Sequence, residues 1–381
     1  MIFSIFITLI VSAVAANRYL FTPIGLDSVG RQWQNYVNYF DFGFLRRAFL
    51  GTVNSFFIPD EVVDKTIDHR VVSWIIHNIY SIIYAIAFLL ITLRSLVNSS
   101  GYTKSVIILS PFFLMHYAYT SGNHDAALSL IAAACVLQIN RLPIVFLLCT
   151  IGMLVHESFL FAYIPVICAI LLYHSKSFTP PMALAGFSAI FFLGLVLYSK
   201  AFFDVEHFET TLATIAPELT RTGAWELSGG IRDNLAFTFE SLDAAFRDEF
   251  TIVIWSLVLV VLGLLYIFLV PLWWGHYGFF FALGALLPTV ALLPIATDIY
   301  RWFAYSAFAI FLIHLYLSRH GLVCGALSEK RPKLFWLLFG PLFLLGPLGS
   351  SCYEACGKAS FPLFFAVIDK FFTLTQFSRL Y

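Results

Sequence analysis

The stretch Leu142–Tyr173, LPIVFLLCTIGMLVHESFLFAYIPVICAILLY, decides the fold of this chain. It is apolar throughout except at its middle, where His156 stands beside Glu157, its one formally charged residue. A helix that crosses a bilayer needs roughly 20 apolar residues, so the stretch is too long for one crossing. Two half-buried helices, 143–156 and 158–173, meeting at the polar turn His156-Glu157 fit it better. Such short spans are tolerated where their ends are buried in protein or line a wet cavity.

Working outward, the whole chain has the same character. Of its 381 residues 60% are hydrophobic and 12% charged, about half the charged share of a soluble domain. Lipid is the solvent that suits such a chain, and 18 Tyr and 8 Trp suit interfacial belts. Apolar runs at 2–22, 71–93, 105–120, 125–140, 143–156, 158–173, 181–199, 251–272, 277–296, 302–318 and 334–349 predict about 11 transmembrane helices. The expectation is an all-α integral membrane protein, a single polytopic membrane domain over 1–381, with outer loops at 23–70 and 200–250. The opening MIFSIFITLIVSAVAAN lacks a basic leader, so it reads as an uncleaved first helix rather than a signal. Residues after about Tyr19 fall outside on either reading.

Orientation follows from Lys and Arg in the short loops. With the N-terminus inside, Arg94, Lys104, Arg141, Lys176, Arg319, Lys330, Arg331 and Lys333 all fall on the cytoplasmic side, against one acid, Glu329. The two long outer loops hold nine basic and 16 acidic residues. The formal net charge is zero, which predicts no nucleic-acid partner. Cys135, Cys149 and Cys168 lie in apolar runs and read as small core residues. Cys352 and Cys356, in CYEAC on the outer side, leave both a disulfide and two thiols open.

Under this topology the polar chemistry gathers at the outer face. Asp27, Arg31, Asp41, Arg46 and Arg47 fall in the first outer loop, where FLRRAFLGTVNSFF and PDEVVDKTIDHRVV read as two amphipathic surface helices. Asn123, His124 and Asp125 fall at the next outer junction, His156-Glu157 at the one after, and Asp298 and Arg301 at the start of a late span. Ionisable groups at membrane depth are costly, so they mark a site or a pair. Asp27 or Asp41 suits a general base that orients an acceptor hydroxyl, or merely a loop cap. Arg46 and Arg47 suit a phosphate or pyrophosphate, or lipid headgroups. Neighbours on a helix point apart, which predicts that at most one of the two arginines reaches the site. Asn123 or Asp125 suits an N-cap, which leaves His124 unexplained. His156 and Glu157 suit acid–base or phosphate-binding roles; residue 160 is Leu, so the zinc pattern HExxH fails. Asp298 and Arg301 are one turn apart, either as an ion pair or with Arg301 holding a diphosphate beside Tyr300, Trp302 and Tyr305. The loop 200–250, with its SGG turn at 228–230, is expected to cap a cavity. No nucleotide loop or Ser-His-Asp pattern is present, and nothing calls for a metal or a cofactor.

At these residues the chain resembles bacterial polysaccharide polymerases of the Wzy and EpsG type and, more broadly, the C-type membrane glycosyltransferases. The likeness rests on the Asp27–Arg47 loop, the His156-Glu157 turn and the Asp298–Arg301 pair. It implies a GT-C-like bundle in the bacterial inner membrane and an undecaprenyl-linked glycan as partner, alongside other members of an assembly complex. It also implies a catalytic aspartate in the first outer loop, Asp27 or Asp41, and a pyrophosphate held by Arg46, Arg47 or Arg301. The expected activity is transfer of a lipid-linked sugar outside the cytoplasm. The rival is a lipid-glycan flippase or other transporter. A membrane O-acyltransferase would need His116 or His314 in a cytosol-accessible span.

Overall fold

The computed structural model describes residues 34–58, 69–95, 125–215, 277–292 and 299–322, with the single positions 220, 224 and 227. Readings that fall on Asp27, Arg31, Asn123, His124, Asp298, His116, Cys352 and Cys356 lie outside the described residues, as do the spans 2–22, 105–120, 251–272 and 334–349. All regular structure among the described residues is helical. In chain order these helices are α1 Tyr39–Phe42, α2 Phe49–Ser55, α3 His69–Ser95, α4 Asp125–Leu137, α5 Leu142–Val155, α6 Phe159–Ala162, α7 Ile164–Ser175, α8 Thr179–Phe202, α9 Val205–Ile215, α10 Tyr277–Leu292 and α11 Ile299–Arg319.

The predicted break at His156-Glu157 is present. The last residue of α5 is Val155, and His156 is extended, with φ −161° and ψ 132°. A single helical turn, α6, follows before α7 begins with Pro165 in its first turn. Proline has no N–H to give and its ring would strike the carbonyl four residues back, so α6 cannot run on into α7. Prolines open α5 and α8 in the same way.

Helices α4, α5, α7, α10 and α11 enclose one hydrophobic core, with buried Phe159, Tyr163, Phe281 and Phe308 among its largest side chains. Such packing depends on close approach of the helices. Gly284 of α10 shows this: a Cβ there would sit 3.0 Å from the Val166 Cα and 3.1 Å from the Pro165 carbonyl of α7. Helices α7 and α11 run parallel and in register. Tyr163 meets Tyr305 at 5.4 Å and His174 meets Tyr316 at 6.0 Å between ring centroids, each pair one equal step along its helix. The sulfurs of Cys135 and Cys149 lie 3.8 Å apart where α4 folds back on α5, and both thiols are buried. Cys168 is only half-buried.

A second, smaller core joins Tyr36, Val37, Leu45 and Ala48 to Val72 of α3, Phe208 and Leu212 of α9, and Ala224. It seats the loop before α3 against the segment after α8. One helix, Thr179–Ser199, is long and apolar enough by itself to cross a membrane among the described residues; Asp125–Leu137, Leu142–Val155, Ile164–Ser175, Tyr277–Leu287 and Phe308–Arg319 are apolar but shorter. On α3, Ile75, Ile79, Ile83, Ile86 and Leu90 recur every three to four residues and are 44–59% exposed, an apolar stripe with no described cover.

Candidate functional site

The site forms where the break after α5 meets the loop before α2. Arg47 grips Glu157 with a fork: Nε donates to Oε1 at 2.9 Å and Oε2 at 3.0 Å, and Nη2 to Oε1 at 2.5 Å. Arg46 reaches the same carboxylate more loosely, Nη1 to Oε1 at 3.5 Å, and donates from Nη2 to the Leu227 carbonyl at 3.1 Å. All three side chains are less than a fifth exposed. The expectation that only one arginine could reach the site therefore fails. It assumed a helix, but α2 starts at Phe49, and Arg46 and Arg47 occupy a turn. Arg47 has φ 65°, a left-handed backbone that costs a non-glycine residue about 1–2 kcal/mol. That conformation lets consecutive side chains converge, and the Ser199 hydroxyl of α8 accepts the Arg46 N–H at 3.0 Å.

Burial alone would raise the Glu157 carboxyl. The charges of Arg47, His156 and Arg46, helped by the Arg47 hydrogen bonds, outweigh it and hold the group well below the usual carboxylate range. His156 Nδ1 lies 3.6 Å from Glu157 Oε2. The same nitrogen accepts the Ser158 N–H at 3.1 Å, which assigns the proton of a neutral ring to Nε2. Glu157 takes the two arginines and His156 the Ser158 amide, yet the two also approach each other, which the helical reading of their adjacency did not predict, since neither lies in a helix.

Beneath the turn lies a buried polar relay. Asp125, at the first residue of α4, is fully buried and accepts the Tyr305 hydroxyl at 2.5 Å. That hydroxyl is 3.5 Å from Ser158 Oγ, and Ser129 pairs with Tyr163 at 2.6 Å nearby. Arg301 lies in the first turn of α11, one turn before Tyr305. Segments distant in sequence therefore deliver Arg46, Arg47, His156, Glu157 and Asp125 to one end of the bundle.

Asp41 stands apart. It is exposed, its Oδ2 accepts from Asn38 Nδ2 at 2.7 Å, and Asn38 in turn caps α1 by accepting the Phe40 and Asp41 amides. The Asp41 carbonyl meets His207 Nε2 of α9 at 2.9 Å. Ser158, Ser199 and Leu227 were not legible as site residues, because a hydroxyl or a backbone carbonyl at a turn carries no periodic signal. No family model matches the chain, and neither a curated protein nor a solved structure matches it significantly.

Proposed function

We propose that the protein is a membrane glycosyltransferase or glycan polymerase that draws sugars from a polyprenyl-(pyro)phosphate donor. It would act at the extracytoplasmic face of the bacterial inner membrane, in O-antigen or exopolysaccharide assembly. The observation that carries this reading is the convergence of Arg46 and Arg47 on the Glu157 turn at the end of an apolar helix bundle. Two guanidinium forks suit a diphosphate, and the apolar helices suit its isoprenoid tail. The exposed isoleucine stripe of α3 favours lipid as the surroundings. The described acids, Asp41, Asp125, Glu157, Asp204, Glu206 and Glu209, also gather at this end, whereas Arg94, Arg141, Lys176 and Arg319 mark the opposite helix ends. That asymmetry fits positive-inside insertion, with about 11 spans in a GT-C-like arrangement.

In this reaction the acceptor hydroxyl attacks the anomeric carbon and its proton passes to a carboxylate. The bond from that carbon to the phosphate oxygen breaks, and the lipid phosphate leaves with the electron pair. Cations near the departing oxygens supply most of the help. Arg46 is the natural ligand, because its 3.5 Å contact with Glu157 is the looser one. A carboxylate held charged by Arg47 is a weak base, so Glu157 serves as counter-ion. Asp41, exposed in α1, or Asp27 is the group proposed to take the proton, and His156 and Arg301 are the further groups proposed for the phosphate.

Proteoliposomes containing the full chain and an undecaprenyl-pyrophosphate oligosaccharide test this directly. Transfer should fall at least a hundredfold in Arg46→Ala, a loss typical of one missing electrostatic contact. Undiminished transfer in a combined Arg46, Asp41 and His156→Ala variant overturns the reading. The flippase alternative draws on one observation, the carboxylate of Asp125 fully buried inside the bundle. Translocation of a labelled lipid-linked glycan without sugar transfer would select it.

A further inference from the structure

At the end of the bundle remote from Glu157 a second group of basic side chains converges, and it differs in having no acid beside it among the described residues. Lys176 follows α7 with φ 54° and sets its ammonium 3.5 Å from the centre of the Tyr173 ring and 4.4 Å from that of Tyr277. Tyr173 stands edge-on to Tyr316 of α11 at 5.9 Å. The Tyr316 hydroxyl is 3.1 Å from His174 Nδ1, and its ring lies 4.3 Å from that of His320. His174 and His320 face each other at 5.8 Å between ring centroids. Arg319, beside His320, is pinned by a 2.6 Å hydrogen bond from Nη1 to the Leu137 carbonyl at the end of α4.

None of these four basic residues has a carboxylate within ion-pair distance among the described residues. His174 is half-buried, whereas Lys176, Arg319 and His320 are open to the surroundings. His320 Nδ1 approaches the Tyr316 carbonyl at 2.9 Å. A carbonyl only accepts, so Nδ1 carries the proton and Nε2 is left to meet a ligand. Tyrosine faces hold the ammonium by cation–π attraction without neutralising it. Among the described residues, Lys176 and Arg319 thus keep a positive charge that no carboxylate offsets, with the two imidazoles and the aromatic rings around it.

We propose that His174, Lys176 and His320, walled by Tyr173 and Tyr316, form an anion site for a phosphate group. The ligand class is a phosphoanion, whether the headgroup of an anionic lipid or a free phosphate. A phosphate offers several acceptor oxygens to the ammonium, the imidazoles and the Tyr316 hydroxyl together. The site stands independently of the glycosyl-transfer reading, since it shares no residue with the Glu157 end.

Calorimetric titration of the full chain in neutral detergent tests it, with dioctanoyl phosphatidylglycerol, dioctanoyl phosphatidylcholine and inorganic phosphate as separate probes. The anionic lipid should bind at least tenfold more tightly than the zwitterionic one. The double variant Lys176→Gln, His320→Gln should abolish that margin, while Lys176→Arg keeps it. Binding of inorganic phosphate as tight as that of the anionic lipid identifies the free ion as the natural source; much weaker binding identifies the lipid. Equal binding of both lipids together with no phosphate binding overturns the proposal. A margin that survives the double variant overturns it as well. All substituted side chains at this end are exposed, and a thermal melt of each variant confirms that it folds.

Discussion

The two ends of the helix bundle handle positive charge in opposite ways. At one end Arg46 and Arg47, less than a fifth exposed, both reach the Glu157 carboxylate. At the other, Lys176, Arg319 and His320 lie open, supported by rings and a backbone carbonyl. The difference is one of burial. A half-buried guanidinium needs a counter-ion to repay its lost hydration, whereas an exposed ammonium keeps its water and can remain uncompensated. A neutralised cluster is a stable framework from which one arginine can be lent to a ligand, and an uncompensated one is a standing attraction for anions.

The largest effect that could break this comparison is expected at Glu157. Glu157→Gln removes the carboxylate that both desolvated guanidinium groups reach, and the cost should be about 3 kcal/mol, read as a fall in the thermal midpoint in detergent. A loss no greater than that of Lys176→Gln would show the two ends to be alike. The same carboxylate gives the Glu157 end an acid sensitivity. Its native pKa lies below its unfolded value near 4.3, so its stabilisation is complete above that value. It is lost as the pH falls through the lowered native pKa. Acid melts of the native chain should steepen there, and those of Glu157→Gln should not.

Next in size is the α7–α10 contact, which lies between the ends. Gly284→Val forces a side chain onto the Val166 backbone and should cost about 2 kcal/mol, again by thermal melting. Tyr305→Phe removes the hydroxyl that Asp125 accepts and leaves a buried carboxylate short of a partner, for about 1–2 kcal/mol. Because Tyr305 also touches Ser158, this variant should lower sugar transfer more than Gly284→Val does in proteoliposome assays. Smallest is Lys176→Met, which forfeits an exposed cation–π contact of about 0.5 kcal/mol. It should barely move the melting midpoint while weakening binding of the anionic lipid severalfold.

Much of this was legible before any coordinates. The break at His156-Glu157 followed from a charge in the middle of an apolar run, because a helix buried along its length has no place for a bare carboxylate. The helix over 181–199 followed from length and hydropathy alone. The pairing of both arginines with Glu157 was hidden. It depends on Arg47 adopting a left-handed backbone, which a helical reading of FLRRAFLG excludes. The roles of Ser199 and the Leu227 carbonyl were equally hidden, since they are supplied by segments over 150 positions along the chain from Arg46. Asp41 was legible as a loop acid, and its contacts with Asn38 are those of the capping alternative.

The sequence by itself determined the helical class and the break at His156-Glu157. Periodicity, proline and charge act locally, so a linear reading captures them. Only the tertiary structure decided which cations are neutralised and which are left open. That outcome depends on which distant segments meet. Glu157 is brought to Arg46 and Arg47, but no described acid is brought to Lys176 and His320. A charge does not carry in its own sequence neighbourhood the partner that folding will give it.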